Sequence, residues 1–162
     1  MKKLILICTL CVCAGLGQAQ EIPKWQISDV ETYIKDTANK VLVINCWATF
    51  CKPCVAEIPS FISITNRYKE QGVELLLVSL DLPSFYPNKI AAFAKKQAYQ
   101  ANIVWLNETN ADYFCPKIDA AWSGSIPATL IINTRTGYRK FFEEEMEPDH
   151  FEKELKLALA SE

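Results

Sequence analysis

Glycine is scarce, at five of 162 residues, and proline reaches eight. With no internal repeat at a spacing of about 20 to 50 residues, this excludes collagen-like chains, solenoids and low-complexity tails. Positive charge is not in surplus: 17 Lys and Arg stand against 19 Asp and Glu, for a formal net charge of -2. The longest same-sign run is acidic, Glu143 to Glu145, so a basic nucleic-acid surface is excluded. A single histidine, His150, leaves a structural zinc site short of ligands. No apolar run is long enough to span a bilayer core, which needs about 20 residues, and no linker-like stretch divides the chain. What remains is 50% hydrophobic and 22% charged, the composition of one compact globular domain.

The first residues read as a targeting segment. Met1, Lys2 and Lys3 are followed by the apolar stretch Leu4 to Val12, broken at Thr9, and then by small and polar residues to Ala19. This is the pattern of a secretory signal peptide. Gly17-Gln18-Ala19 suits cleavage before Gln20, with Gly15-Leu16-Gly17 as a second possibility. A lipoprotein would want a small residue before its cysteine, where Val12 precedes Cys13. The expected organisation is a signal peptide at 1–19 and one domain at 20–162, exported and soluble outside the cytosol. Of the seven cysteines, cleavage leaves Cys46, Cys51, Cys54 and Cys115. They lie where disulfides form and persist, but are too few for a disulfide-stapled scaffold.

Along the rest of the chain, helical and strand patterns alternate. Ser28 with Glu31 gives a capping-box signal, and Val30, Tyr33 and Ile34 follow at helical spacing, predicting a helix over about 29–39. Val41 to Trp47 reads as a strand buried on both faces. A helical pattern follows Cys51 and Cys54 through Glu70, interrupted at Pro59 and ended by Gly72. Val73 to Leu80 is a second buried strand, Pro87 opens a helix carrying Ile90, Ala91 and Phe93, and Ile103 to Leu106 is a short strand. Between Thr109 and Ser125 the pattern weakens, with helical fragments expected around Tyr113 and Ala120. Ala128 to Ile132, a turn and Tyr138 to Phe142 form a hairpin, and Pro148 starts a final helix. The order argues for an α/β fold with a central mixed sheet flanked by helices.

Cys51-Lys52-Pro53-Cys54 places two thiols three residues apart at a strand-to-helix junction, the setting of a redox pair. The unsatisfied N–H groups of a helix start favour thiolate over thiol at Cys51, and Lys52 adds a cation. A thiol of pKa near 7 is roughly half ionised at neutral pH, against about 3% for one near 8.5. Cys51 is thus the expected nucleophile. Cys54, in the first helical turn, resolves the mixed disulfide and must lose a proton while buried. Glu57, on the same helix face, is placed to accept it. Cys46 suits core packing in a buried strand. No cofactor or metal is expected.

These residues carry a resemblance. Trp47-Ala48-Thr49-Phe50-Cys51-Lys52-Pro53-Cys54, Glu57, Pro59 and Ser125-Ile126-Pro127-Ala128 before a strand resemble the thioredoxin-like thiol-disulfide oxidoreductases of the TlpA/ResA type, over most of the chain from Val41 onward. The resemblance implies a thioredoxin-like fold with a segment inserted before the cis-Pro strand, where Cys115 falls as a buried, inert thiol. It implies that Ile126-Pro127 is cis and lies beside the disulfide, so that Ile126 can pair with an extended substrate segment. The substrate-facing set is then Trp47, Lys52, Pro53, Ile126 and Pro127. Asn45 stands where cytosolic thioredoxins carry a buried Asp, which by this reading passes the proton role to Glu57.

The resemblance also implies a direction: a reductase of protein disulfides, including those of cysteines awaiting haem attachment in cytochrome c maturation, supplied with electrons by a membrane thiol carrier. The alternatives are a thioredoxin-like peroxidase, which would want a proline and threonine ahead of a lone cysteine, and a non-enzymatic module holding copper or haem through its thiols.

Overall fold

The computed structural model describes residues 21–35 and 41–160. The expected signal peptide at 1–19, its cleavage site and the end of the first helix lie outside the described residues. Six strands form one mixed sheet in the order β1-β4-β3-β2-β5-β6: β1 (Lys24–Trp25), β2 (Val41–Trp47), β3 (Val73–Ser79), β4 (Asn102–Leu106), β5 (Ala128–Asn133) and β6 (Tyr138–Phe142). β1, β4, β3 and β2 run parallel to one another, whereas β5 pairs antiparallel with both β2 and β6.

Five α-helices cover the sheet: α1 (Ile27–Lys35), α2 (Lys52–Arg67), α3 (Asn88–Lys96), α4 (Ala111–Ile118) and α5 (Pro148–Ala160). Strand alternation divides the core in two. Val41, Val43 and Trp47 of β2 pack with Cys54, Ile58 and Phe61 of α2 and with Phe151 and Leu155 of α5. Ile44 and Cys46 face the other way, towards Ile27 and Val30 of α1 and Phe114, Cys115 and Ile118 of α4. This two-sided cover explains why all seven residues of β2 are buried.

Several sequence expectations are corrected. α1 starts at Ile27, because Gln26 rather than Ser28 is capped: the Gln26 N–H donates to Asp29 Oδ2 at 2.7 Å. α2 continues through Pro59 and ends at Arg67, and a 3-10 turn, Lys69–Gln71, takes up the rest before Gly72. Gly72 adopts a left-handed φ of 83°, which glycine accepts without a Cβ clash. α4 forms around Tyr113, but no helix forms around Ala120. The edge strand β1, the 3-10 turn Pro83–Phe85 and a cis Tyr86–Pro87 bond were not expected. The Ile126–Pro127 bond is cis, as the resemblance implied. Among the described residues no helix is long and apolar enough to cross a membrane.

Candidate active site

β2 delivers the chain to the start of α2 through a tight turn, in which the Cys51 N–H donates to Ala48 O at 3.0 Å. Cys51 is the N-cap of α2, in extended conformation, and Pro53 sits in the first helical turn. That proline suits a position whose N–H has no helical acceptor. The Cys54 N–H donates to Cys51 Sγ at 3.3 Å, so the sulfur takes the place usually held by a capping oxygen. Cys51 and Cys54 are joined as a disulfide with Cα atoms 5.3 Å apart. Cys51 keeps 8% of its surface open and Cys54 keeps none, so an approaching thiol meets Cys51 first.

Glu57, one turn along α2 from Cys54, is only 4% exposed. Its Oε1 accepts from Asn45 Nδ2 at 2.8 Å and its Oε2 from the Met146 N–H at 2.9 Å. Burial pushes its carboxyl pKa up from 4.5 to about 7, against the opposing pull of those two hydrogen bonds, while the Glu145 charge adds to the rise. Glu57 therefore changes protonation near neutrality, as a proton acceptor for a buried thiol requires.

The turn ahead of Cys51 is tied down by a residue that the sequence did not single out. Asp81, buried just beyond β3, accepts from the Thr49 N–H at 3.2 and 3.1 Å and from Thr49 Oγ1 at 2.6 Å. Ser79 Oγ donates to its other oxygen at 2.8 Å, and Trp105 Nε1 donates to its backbone carbonyl at 2.8 Å. Only the pattern Ser79-x-Asp81 at the end of a buried strand hinted at it.

The cis Ile126–Pro127 bond reaches the same end of the sheet, because Ala128 pairs with Cys46 on β2. The segment before it is braced by Glu143, likewise unforeseen, whose carboxylate accepts from the Ser123 N–H, Ser123 Oγ and the Ser125 N–H at 2.5–3.1 Å. Ile126 is half-buried, Pro127 is buried, Lys52 is exposed and Pro53 is half-buried. Trp47 departs from the expected substrate-facing set. It is wholly buried against Phe93 and Tyr99, because the inward side of β2 at this position faces the helix layer. Phe50, next to Cys51, is instead 61% exposed. Cys46 and Cys115 are free thiols buried in the core, as expected of them.

The AhpC/TSA family model matches residues 19–137. The thiol-disulfide oxidoreductase ResA of Bacillus subtilis (strain 168) is 27% identical over 142 residues, covering 80% of this chain and 74% of that protein. ResA of Bacillus anthracis is 35% identical over 65 residues, covering 38% of each. The match thus spans well under half the length of several of the curated relatives. Among solved structures, a thioredoxin-related protein from Neisseria meningitidis serogroup B superposes with a TM-score of 0.62 at 25% identity, covering 78% of this chain and 87% of that one. A thiol:disulfide interchange protein of the thioredoxin family from Chlorobium tepidum TLS gives 0.63 at 18% identity, covering 78% and 84%. The fold is accordingly thioredoxin-like, with α4 in the segment between β4 and the cis-Pro strand β5.

Proposed function

Since the chain belongs to the AhpC/TSA family, we propose, on the geometry of its cysteine pair, that it is a thiol-disulfide oxidoreductase acting on protein disulfides. The observation that carries this reading is the Cys51–Cys54 disulfide at the start of α2, with Cys51 keeping a small opening to solvent and Cys54 sealed beneath it. In the reduced protein, Cys51 attacks a substrate disulfide as thiolate, favoured by the helix N-terminus. Cys54, its proton taken by Glu57, then attacks the Cys51 sulfur and releases the substrate as a thiol. Lys52 and Pro53 lie between the two cysteines, and with Ile126 and Pro127, at the same end of the sheet, they receive the substrate chain in this reading.

The direction we infer is reduction outside the cytosol, with residues 1–19 as export signal and 20–162 as the working domain. The Lys2-Lys3 start and the apolar run to Val12 support export. The likeness to ResA supports disulfide-bearing protein substrates, cysteines prepared for haem attachment among them, and a membrane thiol carrier as electron source. A peroxidase is disfavoured by the pairing of Cys51 with a partner three residues on.

The deciding experiment is insulin reduction by the recombinant mature protein, together with equilibration of the Cys51–Cys54 pair against glutathione. Reduction of insulin and a potential near the thioredoxin value of about -270 mV support the reading. A potential near the DsbA value of about -120 mV overturns the reductase direction. Peroxide turnover or stoichiometric copper or haem retention without insulin reduction overturns the activity.

A further inference from the structure

Asn45 lies in the middle of the sheet with no exposed surface. Its Nδ2 donates to Glu57 Oε1 at 2.8 Å and to Thr129 Oγ1 at 3.0 Å. Its Oδ1, also buried, meets no donor among the described residues. A buried amide with an unpaired acceptor lowers stability, and an aliphatic side chain at this strand position avoids that loss. Packing therefore does not explain an amide here, whereas its bond to Glu57 does.

We propose that Asn45 is a positioning residue for the resolving step: its NH2 group holds the Glu57 carboxylate in the orientation and charge state in which it takes the proton of Cys54. The proposal rests on the redox reading of the Cys51–Cys54 pair given above. Glu57 is gripped from two independent elements, with Asn45 of β2 on one oxygen and the Met146 N–H, ahead of α5, on the other. The charged side chain acting on it is Glu145, which disfavours the carboxylate. Hydrogen-bond donation thus opposes both burial and like charge, and Asn45 supplies the side-chain share. Thr129, on the cis-Pro strand β5, fixes the amide from the opposite side.

In the mixed disulfide between Cys51 and substrate, the Cys54 thiol gives its proton to Glu57. The Cys54 thiolate then attacks Cys51 Sγ, and the Cys51–Cys54 bond forms as the bond from Cys51 to the substrate sulfur breaks. The substrate leaves as thiolate and recovers a proton from Glu57, directly or through solvent. Two electrons pass from the dithiol, which is oxidised, to the substrate disulfide, which is reduced. Without the Asn45 donor, Glu57 holds its proton to higher pH, and fewer molecules are able to begin this step at neutrality.

The test compares Asn45→Leu, Thr129→Val and Glu57→Gln with the wild type in three measurements. Glu57 is titrated by carbon NMR of the reduced protein. Resolution of a mixed disulfide with glutathione is followed against pH in single turnovers. Alkylation of Cys51 by iodoacetamide reports the nucleophile alone. Asn45→Leu is expected to raise the Glu57 midpoint by about one unit and to slow resolution roughly fivefold near neutrality. The same variant should leave Cys51 alkylation within about twofold of wild type. Thr129→Val should move the midpoint by only about 0.3 units, a fraction of one charge-assisted hydrogen bond. An unmoved Glu57 midpoint in Asn45→Leu overturns the proposal, and so does a resolution profile that shifts only in step with Cys51 alkylation. If Asn45→Leu does not fold, Asn45→Ala removes the same donor and is read by the same criteria. Normal resolution in Glu57→Gln would instead locate the failure in the proton role of Glu57 itself.

Discussion

The Cys54 N–H donates to the sulfur of Cys51 at 3.3 Å, so the more open cysteine of the pair is capped by the backbone of the buried one. In the proposed cycle the first helical turn thereby orients attack and release with one contact. When the disulfide opens, the same N–H is left facing a thiolate, and hydrogen bonds to charged sulfur are stronger than to neutral sulfur.

From this contact, Cys51→Ser should abolish insulin reduction, whereas Cys54→Ser should accumulate a mixed disulfide visible by mass spectrometry. In the reduced protein, Cys51 alkylation should show its midpoint below the ordinary thiol value of about 8.5, because the helix N-terminus favours the thiolate. Failure of Cys54→Ser to trap any thiol protein would sink the resolving role.

Stability should carry the signature of Glu57. Its folded pKa, about 7, lies above its ordinary 4.5, so between these values the folded protein binds more protons than the unfolded one. Stability therefore falls as pH rises from about 4.5 to about 7, by roughly 3 kcal/mol over the window, and this contribution is flat above it. Urea denaturation of oxidised wild type and Glu57→Gln across that range checks this, since the glutamine variant should lose the slope.

Asp81→Ala should cost about 3 kcal/mol, because Thr49 and Ser79 are left with donors that no longer have this acceptor. It should also blunt Cys51 reactivity, as the turn that sets the N-cap loosens. Asp81→Asn keeps an oxygen for Thr49 and should retain more of both. Equal losses in the two variants would show that the shape of the turn is not what Asp81 supplies.

Glu143→Ala releases the Ser123 and Ser125 donors in the segment leading to Pro127. We expect KM for a protein substrate to rise several-fold with kcat little changed, the pattern of weakened binding ahead of chemistry. The Ser123 hydroxyl holds the Glu143 pKa below its usual value, so this bracing should persist at neutral and mildly acidic pH.

Cys46 and Cys115 should resist alkylation at pH 8 in the folded protein. Burial pushes the Cys115 thiol up to about 11 and the Cys46 thiol further in the same direction. Replacing both with alanine should leave insulin reduction intact. Modification of either at rates near that of Cys51 would contradict their burial.

Much of this fold was legible because buried strands and amphipathic helices leave periodic traces. β2 was read at its observed limits from its β-branched run, and Pro148 marked the start of α5. The cysteine pair was legible because its spacing and its place at a strand-to-helix junction are both local in the sequence. Unread features depend on contacts between distant segments. β1 is two residues long and exists through pairing with β4, and Asp81 reaches Thr49 across 32 positions. Glu143 reaches Ser123 across 20 positions. Trp47 was misplaced because alternation along β2 says that it faces one side of the sheet, but not which layer covers that side.

Asn45 and Cys46, adjacent on β2, point to opposite sides of the sheet, and the four cysteines among the described residues divide the same way: Cys51 and Cys54 on one side, Cys46 and Cys115 on the other. The sheet thus works as an insulator. In the proposed cycle a disulfide arriving at Cys51 has Cys54 as its way onward, and the sheet keeps the two spare thiols from short-circuiting the exchange or scrambling its product while the strands stay paired.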